Sequence, residues 1–191
     1  MYQPSRLAQA GFAGLVGGLV GSFAMNLFAR TAAAVGGGRE APGSAPGADR
    51  FGRGVQPPQS VTTADQDATV KAGTTLYEAV STSQPEYETQ QWLGTAAHFA
   101  FGGGAGLVYG LLSARAPALT KGYGTFYGAL VWAVADEGVI PALGLSRRPG
   151  DLRPAVHAYA LLGHFVYGVT LEAVRRYSAG GHRDTARRLR A

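Results

Sequence analysis

The stretch 122–145, GYGTFYGALVWAVADEGVIPALGL, constrains this chain more than any other. It is long and apolar enough to cross a bilayer, yet Asp136 and Glu137 sit side by side well inside it. An acid at the centre of a membrane helix costs at least about 2.5 kcal/mol, so the rest of the chain must give it polar company or water. The stretch therefore predicts a membrane protein with an internal polar cluster.

Three more runs have the same character. Residues 7–29 carry no charge and only Gln9, Ser22 and Asn26 as polar interruptions; 90–113 and 154–175 are similarly apolar. With 122–144 these give four spans of roughly the 20 residues that about 30 Å of hydrocarbon requires. A cleavable signal peptide is the competing reading of the first run, because Arg6 precedes it and small alanines follow, but its length favours a retained helix. Pro141 is expected to distort or stop the third span, and Pro154 suits the first position of the fourth.

Hydrophobic residues make up 46% of the 191, only 15% are charged, and 29 are glycine, which suits helices packing through small residues in lipid. A Gly/Pro/Ser-rich segment, 34–62, cannot bury enough surface to offset its ordering entropy and reads as a flexible loop. Residues 63–80 follow as a short amphipathic helix lying along the interface, with Asp65 and Asp67 in its first turn and Gly73 weakening it. The fold class expected is thus all-α: an integral membrane four-helix bundle with a long loop and a short amphipathic helix after the first span.

Short turns force neighbouring spans to be antiparallel. Arg6, Arg115, Lys121 and the arginines of the basic tail, 177–191, with Arg175 and Arg176 just before it, fall on one side, which places both termini in the cytoplasm. The tail's partner is expected to be anionic lipid headgroups, at about 1 kcal/mol per well-placed arginine, and nothing resembles a nucleic-acid-reading module.

Two patterns recur. Gly14, Gly18, Ser22 and Asn26 follow at four-residue steps, as do Gly124, Gly128, Trp132 and Asp136; HFAFG from His98 matches HFVYG from His164. Together they suggest one helical hairpin used twice in the same orientation. Gly102, Gly106 and Gly110 form a further row through which backbones can approach, and exposed small-residue rows would also suit a homo-oligomer.

Depth arithmetic puts His98 and His164 roughly 13 to 15 Å in from the loop-bearing side and Asp136 about 10 Å in, with Asn26 and His157 closer to it. The candidate polar cluster is therefore Asn26, His98, Asp136, Glu137, His157 and His164. Glu172 is expected to be neutralised by Arg175 or Arg176 instead. Three functions compete: a structural or accessory role in which the polar layer fixes helix register, a path for protons, ions or a small solute using Asp136 and the histidines, and a haem site with His98 and His164 as axial ligands. No cofactor is expected outside the haem reading. Enzyme motifs are missing: the chain has no cysteine, no H-E-x-x-H, no G-x-S-x-G and no phosphate loop.

The succession of a Gly-rich first helix, AAHFAFGGGAGLVYG, YGALVWAVADEGVIPALGL and HAYALLGHFVYGVTLEAVRR resembles the YagU-like group of small bacterial inner-membrane proteins, best over residues 89–176. The resemblance implies a multi-pass protein of the inner membrane and four helices, with no catalytic residue attached.

Overall fold

The computed structural model describes residues 6–35, 68–81, 83–113 and 115–188. All regular structure among them is helical: α1 Arg6–Val35, α2 Ala68–Val80, α3 Tyr87–Ser113, α4 Thr125–Val134, a π turn Ala135–Val139, α5 Ile140–Ala142 and α6 Pro154–Arg188, with 3-10 turns at Pro117–Thr120 and Pro149–Asp151. Most of the Gly/Pro-rich loop expected over 34–62, and Asp65 and Asp67, lie outside the described residues. Among the described residues one helical stretch, Arg6–Ala32, is long and apolar enough, by length and composition alone, to cross a membrane.

The chain divides into two compact units. The first gathers the described parts of 1–26, 99–131 and 163–191, so it takes the first half of α1, the second half of α3, α4 and the second half of α6. Its helices meet through glycine. A Cβ on Gly14 or Gly18 of α1 would run into the carbonyl oxygens of Gly106 and Gly102 on α3, and one on Gly124 or Gly128 into those of Gly168 and His164 on α6. In both crossings residue numbers rise on one helix as they fall on the other, so each pair is antiparallel. Small residues at four-residue steps allow this because they bring backbone against backbone.

The two crossings have the same geometry, but not the correspondence that the sequence patterns suggest. Aligning HFAFG with HFVYG equates Gly102 with Gly168, which would set Gly128 opposite Gly168; its Cβ instead points at the carbonyl of His164, one turn earlier. The cause lies in α3, whose glycine row runs on through Gly106 and Gly110, while the matching positions of α6 hold Glu172 and Arg176.

Tyrosines fill what the glycines leave open. Tyr109, Tyr127, Tyr167 and Leu171 form the buried core. The Tyr127 hydroxyl donates to the Ala105 carbonyl at 2.6 Å and the Tyr167 hydroxyl to the Gly102 carbonyl at 2.6 Å, tying α4 and α6 to α3. The rings of Tyr109 and Tyr127 lie 4.7 Å apart.

The third expected span differs from a single helix at both ends. Gly122, Tyr123 and Gly124 have φ of 60°, 56° and 88°, all left-handed, so a right-handed helix cannot start before Thr125. Further on, the helix widens into the π turn and ends after Ala142 with Gly144 at φ 72°, where the Gly144 and Leu145 amides donate back to Pro141 and Ile140 in a Schellman cap. The fourth helix continues as backbone through the expected tail to Arg188.

The second unit takes the described parts of 27–98 and 132–162. Here α2 crosses α3 at Gly73 and Gly94: a Cβ on Gly73 would lie 2.7 Å from the Leu93 carbonyl group, and one on Gly94 would strike Val70. Gly73, a weak point by helix propensity, is thus the contact that seats α2. Leu76 and Val80 on the same helix face outward. The rings of Phe28 on α1 and Tyr159 on α6 stack at 5.5 Å.

Candidate functional site

The π turn positions the most reactive pair. Pro141 has no N–H to donate and its ring would clash with the carbonyl of Glu137 four residues back, so an α-helix cannot continue unaltered through this point. The chain widens instead, and the Ile140 amide donates to Ala135, five residues back. Asp136 and Glu137 both sit in the widened turn. Single π turns of this kind occur frequently at functional sites.

Glu137 meets His157, three residues into α6. Its Oε1 lies 2.6 Å from His157 Nδ1, and His157 Nε2 lies 3.1 Å from the carbonyl oxygen of Pro149 in the preceding 3-10 turn. A carbonyl only accepts, so Nε2 carries a hydrogen and donates it. The contact at Nδ1 then holds one further proton, as imidazolium with carboxylate or as imidazole with carboxylic acid. Both side chains are about a quarter exposed, at 24% and 23%. The pair can therefore hold one proton between one oxygen and one nitrogen atom and release it to water that reaches it.

A second polar group belongs to the first unit. Glu172 is completely buried, at 0% exposure, and four donors fill its carboxylate. Oε2 accepts from the Tyr109 hydroxyl at 2.5 Å and from Arg175 Nε at 2.7 Å; Oε1 accepts from Arg175 Nη2 at 2.8 Å and Arg176 Nε at 2.6 Å. The Arg176 guanidinium also lies 4.6 Å from the centre of the Tyr123 ring. Spacings of three and four residues place both arginines over Glu172 on one helix face. Such a saturated carboxylate is a structural lock rather than a reactive group.

Of the six residues expected to form the cluster, the structure joins Glu137 to His157. His98 and Asp136, both half-buried, lie in the same unit as that pair; Asn26 and His164 lie in the other, with His164 buried and its carbonyl against Gly128. Among the described residues no three His, Asp or Glu side chains gather as a metal site. The residues that sequence reasoning passed over are the tyrosines. Tyr109, Tyr123, Tyr127 and Tyr167 each directly precede a glycine, a signal that marks where an aromatic ring flanks a close backbone approach.

A family model described as "Protein of unknown function (DUF1440)" matches residues 53–173, more than half of the chain. The chain belongs to DUF1440. The matched region of this DUF1440 chain takes in α2, α3, α4, the π turn and α6 as far as Ala173, so it includes both Glu137 and His157 and ends just before the arginines that hold Glu172. No curated protein and no solved structure matches the chain.

Proposed function

We propose that this DUF1440 protein is a multi-pass protein of the bacterial inner membrane with a structural or accessory role, in which buried polar groups fix the register of its helices. The observation that carries the reading is the exposure of large apolar side chains around a partly polar interior in the first unit. Its interior mixes glycines, Ser22, Ser113, His164 and Glu172 with three tyrosines and Leu171, while Phe12, Phe23, Phe101, Phe126 and Leu130 face outward, Phe12 with 68% of its surface exposed. Large apolar side chains outside, around an interior that holds a buried carboxylate, an imidazole and two hydroxyls, suit hydrocarbon as the surrounding medium.

The interruptions that keep most of the helices below the hydropathy of a typical span support the same role. His98 and six glycines dilute α3, three histidines and three tyrosines dilute α6, and the π turn divides the third span. The apolar outer face of α2, with Leu76 and Val80, suits a helix lying at the interface. The YagU-like resemblance points the same way.

Glu137 and His157 favour a second reading, a path for protons across part of the membrane. Their shared proton and partial exposure are what such a path requires.

Location is tested directly, because the chain has no cysteine of its own. Protein in the membrane fraction should resist alkaline extraction. In intact cells a membrane-impermeant maleimide should label Arg148→Cys, whereas Lys121→Cys should react only after permeabilisation. Release by alkali, or equal labelling of both positions in intact cells, removes the multi-pass reading.

A further inference from the structure

We propose that Arg176 and the turn Lys121–Gly124 bind the phosphate of an anionic phospholipid, with its acyl chains on the exposed apolar side chains of α4 and α6. The inference rests on the membrane reading of the chain and names its lipid partner, at helix ends that precede the tail. The two parts of the site are in contact: the Arg176 guanidinium lies 4.6 Å from the centre of the Tyr123 ring. Tyr123 is the one non-glycine residue with positive φ among the described residues, at 56°, so the turn holds its ring against the guanidinium in a backbone conformation that L residues disfavour. Lys121 belongs to the same turn. Its carbonyl accepts from the Phe126 amide at 3.4 Å, and two residues of chain reach at most about 7 Å, so its exposed side chain starts close to Tyr123.

Charge at this end of the first unit is one-sided. In 6–26, 99–131 and 163–178 the one acid is Glu172, against Arg6, Arg115, Lys121, Arg175 and Arg176. Glu172 is buried, so the cations dominate what the surroundings meet. The antiparallel crossings collect them: Arg6 stands four residues before Ala10, whose carbonyl faces Gly110 of α3, Arg115 follows Gly110 by five, and Lys121 comes just before the Gly124 that faces Gly168 and Glu172 of α6. Arg176 uses Nε on Glu172, and its side chain is 52% exposed. A guanidinium has five donors in a planar fork, so the Nη groups of Arg176 suit a phosphate.

What lies deeper along the helices favours a lipid over a free anion. Val169 precedes Arg176 by seven residues, which puts it within about 20° around α6 and roughly 10 Å deeper, and it is exposed. Phe126 and Leu130 follow Tyr123 on α4, four residues apart and both exposed. Cations above exposed apolar side chains match the two ends of one phospholipid, whereas inorganic phosphate needs only the first. Tyr123 and Tyr177, next to these cations, are exposed as aromatic residues are at the boundary of hydrocarbon and headgroups. In the orientation inferred from the flanking arginines this end faces the cytoplasmic leaflet, which carries the negative surface charge.

The test counts lipids bound to the intact protein in a neutral detergent by native mass spectrometry, with phosphatidylglycerol set against phosphatidylcholine of the same acyl chains. Phosphatidylglycerol is expected to be retained at concentrations at least about tenfold lower. Lys121→Gln, which leaves the arginines on Glu172 intact, should weaken that retention about fivefold, the share of one well-placed cation, and Arg176→Gln should weaken it more. Arg148→Gln, at an exposed position of the second unit, should change nothing. Equal retention of the two lipids, retention unaltered in Lys121→Gln, or an equal loss in Arg148→Gln overturns the inference. So does full displacement of the lipid by a large excess of glycerol phosphate, which marks an anion site without a lipid. Alkaline extraction separates this failure from that of the membrane reading. Protein that resists extraction but shows no lipid preference loses the site alone, whereas release by alkali removes both.

Discussion

Tyr109 and Glu172 are 63 residues apart, on α3 and α6, and the hydroxyl of one donates to the carboxylate of the other at 2.5 Å in a completely buried setting. Arg175 and Arg176 come from the same helix as Glu172, so Tyr109 is the donor to this carboxylate that crosses between helices. The contact fixes how far α6 has slid along α3.

Tyr109→Phe should therefore lower unfolding stability in detergent by about 1–3 kcal/mol, the cost of a lost partner at a buried polar group. Glu172→Gln should cost more, because it also strips both arginines of their counter-charge. A double variant no less stable than Glu172→Gln alone is expected if the two act as one unit. Additive losses would argue against that coupling.

The glycine crossings yield a paired prediction. Gly106→Ala places a methyl group against the backbone of α1 and should destabilise by about 1–3 kcal/mol, as overpacking does. Gly104→Ala, two residues away with nothing within 4 Å, should be neutral or gain up to about 1 kcal/mol from helix propensity. Denaturation of both variants under one condition checks the contrast.

For the Glu137–His157 pair, Glu137→Gln preserves shape while removing the shared proton. Flux into vesicles should drop tenfold or more, on the order of what loss of a positioned acid or base costs. The helical circular dichroism should be unchanged. Equal flux in the variant and the parent protein excludes the pair as a path.

Much of this fold follows from spacing that can be read in one dimension. The rows Gly14/Gly18 and Gly102/Gly106/Gly110 announce close crossings because four residues make nearly one turn, and Glu172 with Arg175 and Arg176 announces an ion pair for the same reason. What could not be read is which residue faces which across helices. That depends on rotation and sliding of whole helices, so the acceptors of Tyr127 and Tyr167, both main-chain carbonyls of α3, carry no side-chain signature. Pro141 indicated that the third span would be disturbed. The helix both widens ahead of the proline and ends one residue after it, and the widened turn carries the Glu137 that meets His157. Gly73 lowers the propensity of its own helix, and its close contact with Leu93 is a cross-helix relation that propensity does not carry.

A π turn contains one residue more than the α-helical turn it replaces. Deleting a single residue from 135–139 should let an ordinary helix close over the gap, leaving the flanking segments in phase but moving the residues of the turn itself to new angular positions. The carboxylate that faces His157 would then be carried around the helix, although no chemical group had been altered. Length at this one place is thus as decisive as identity, and insertions or deletions here should separate relatives that keep the pair from relatives that have lost it.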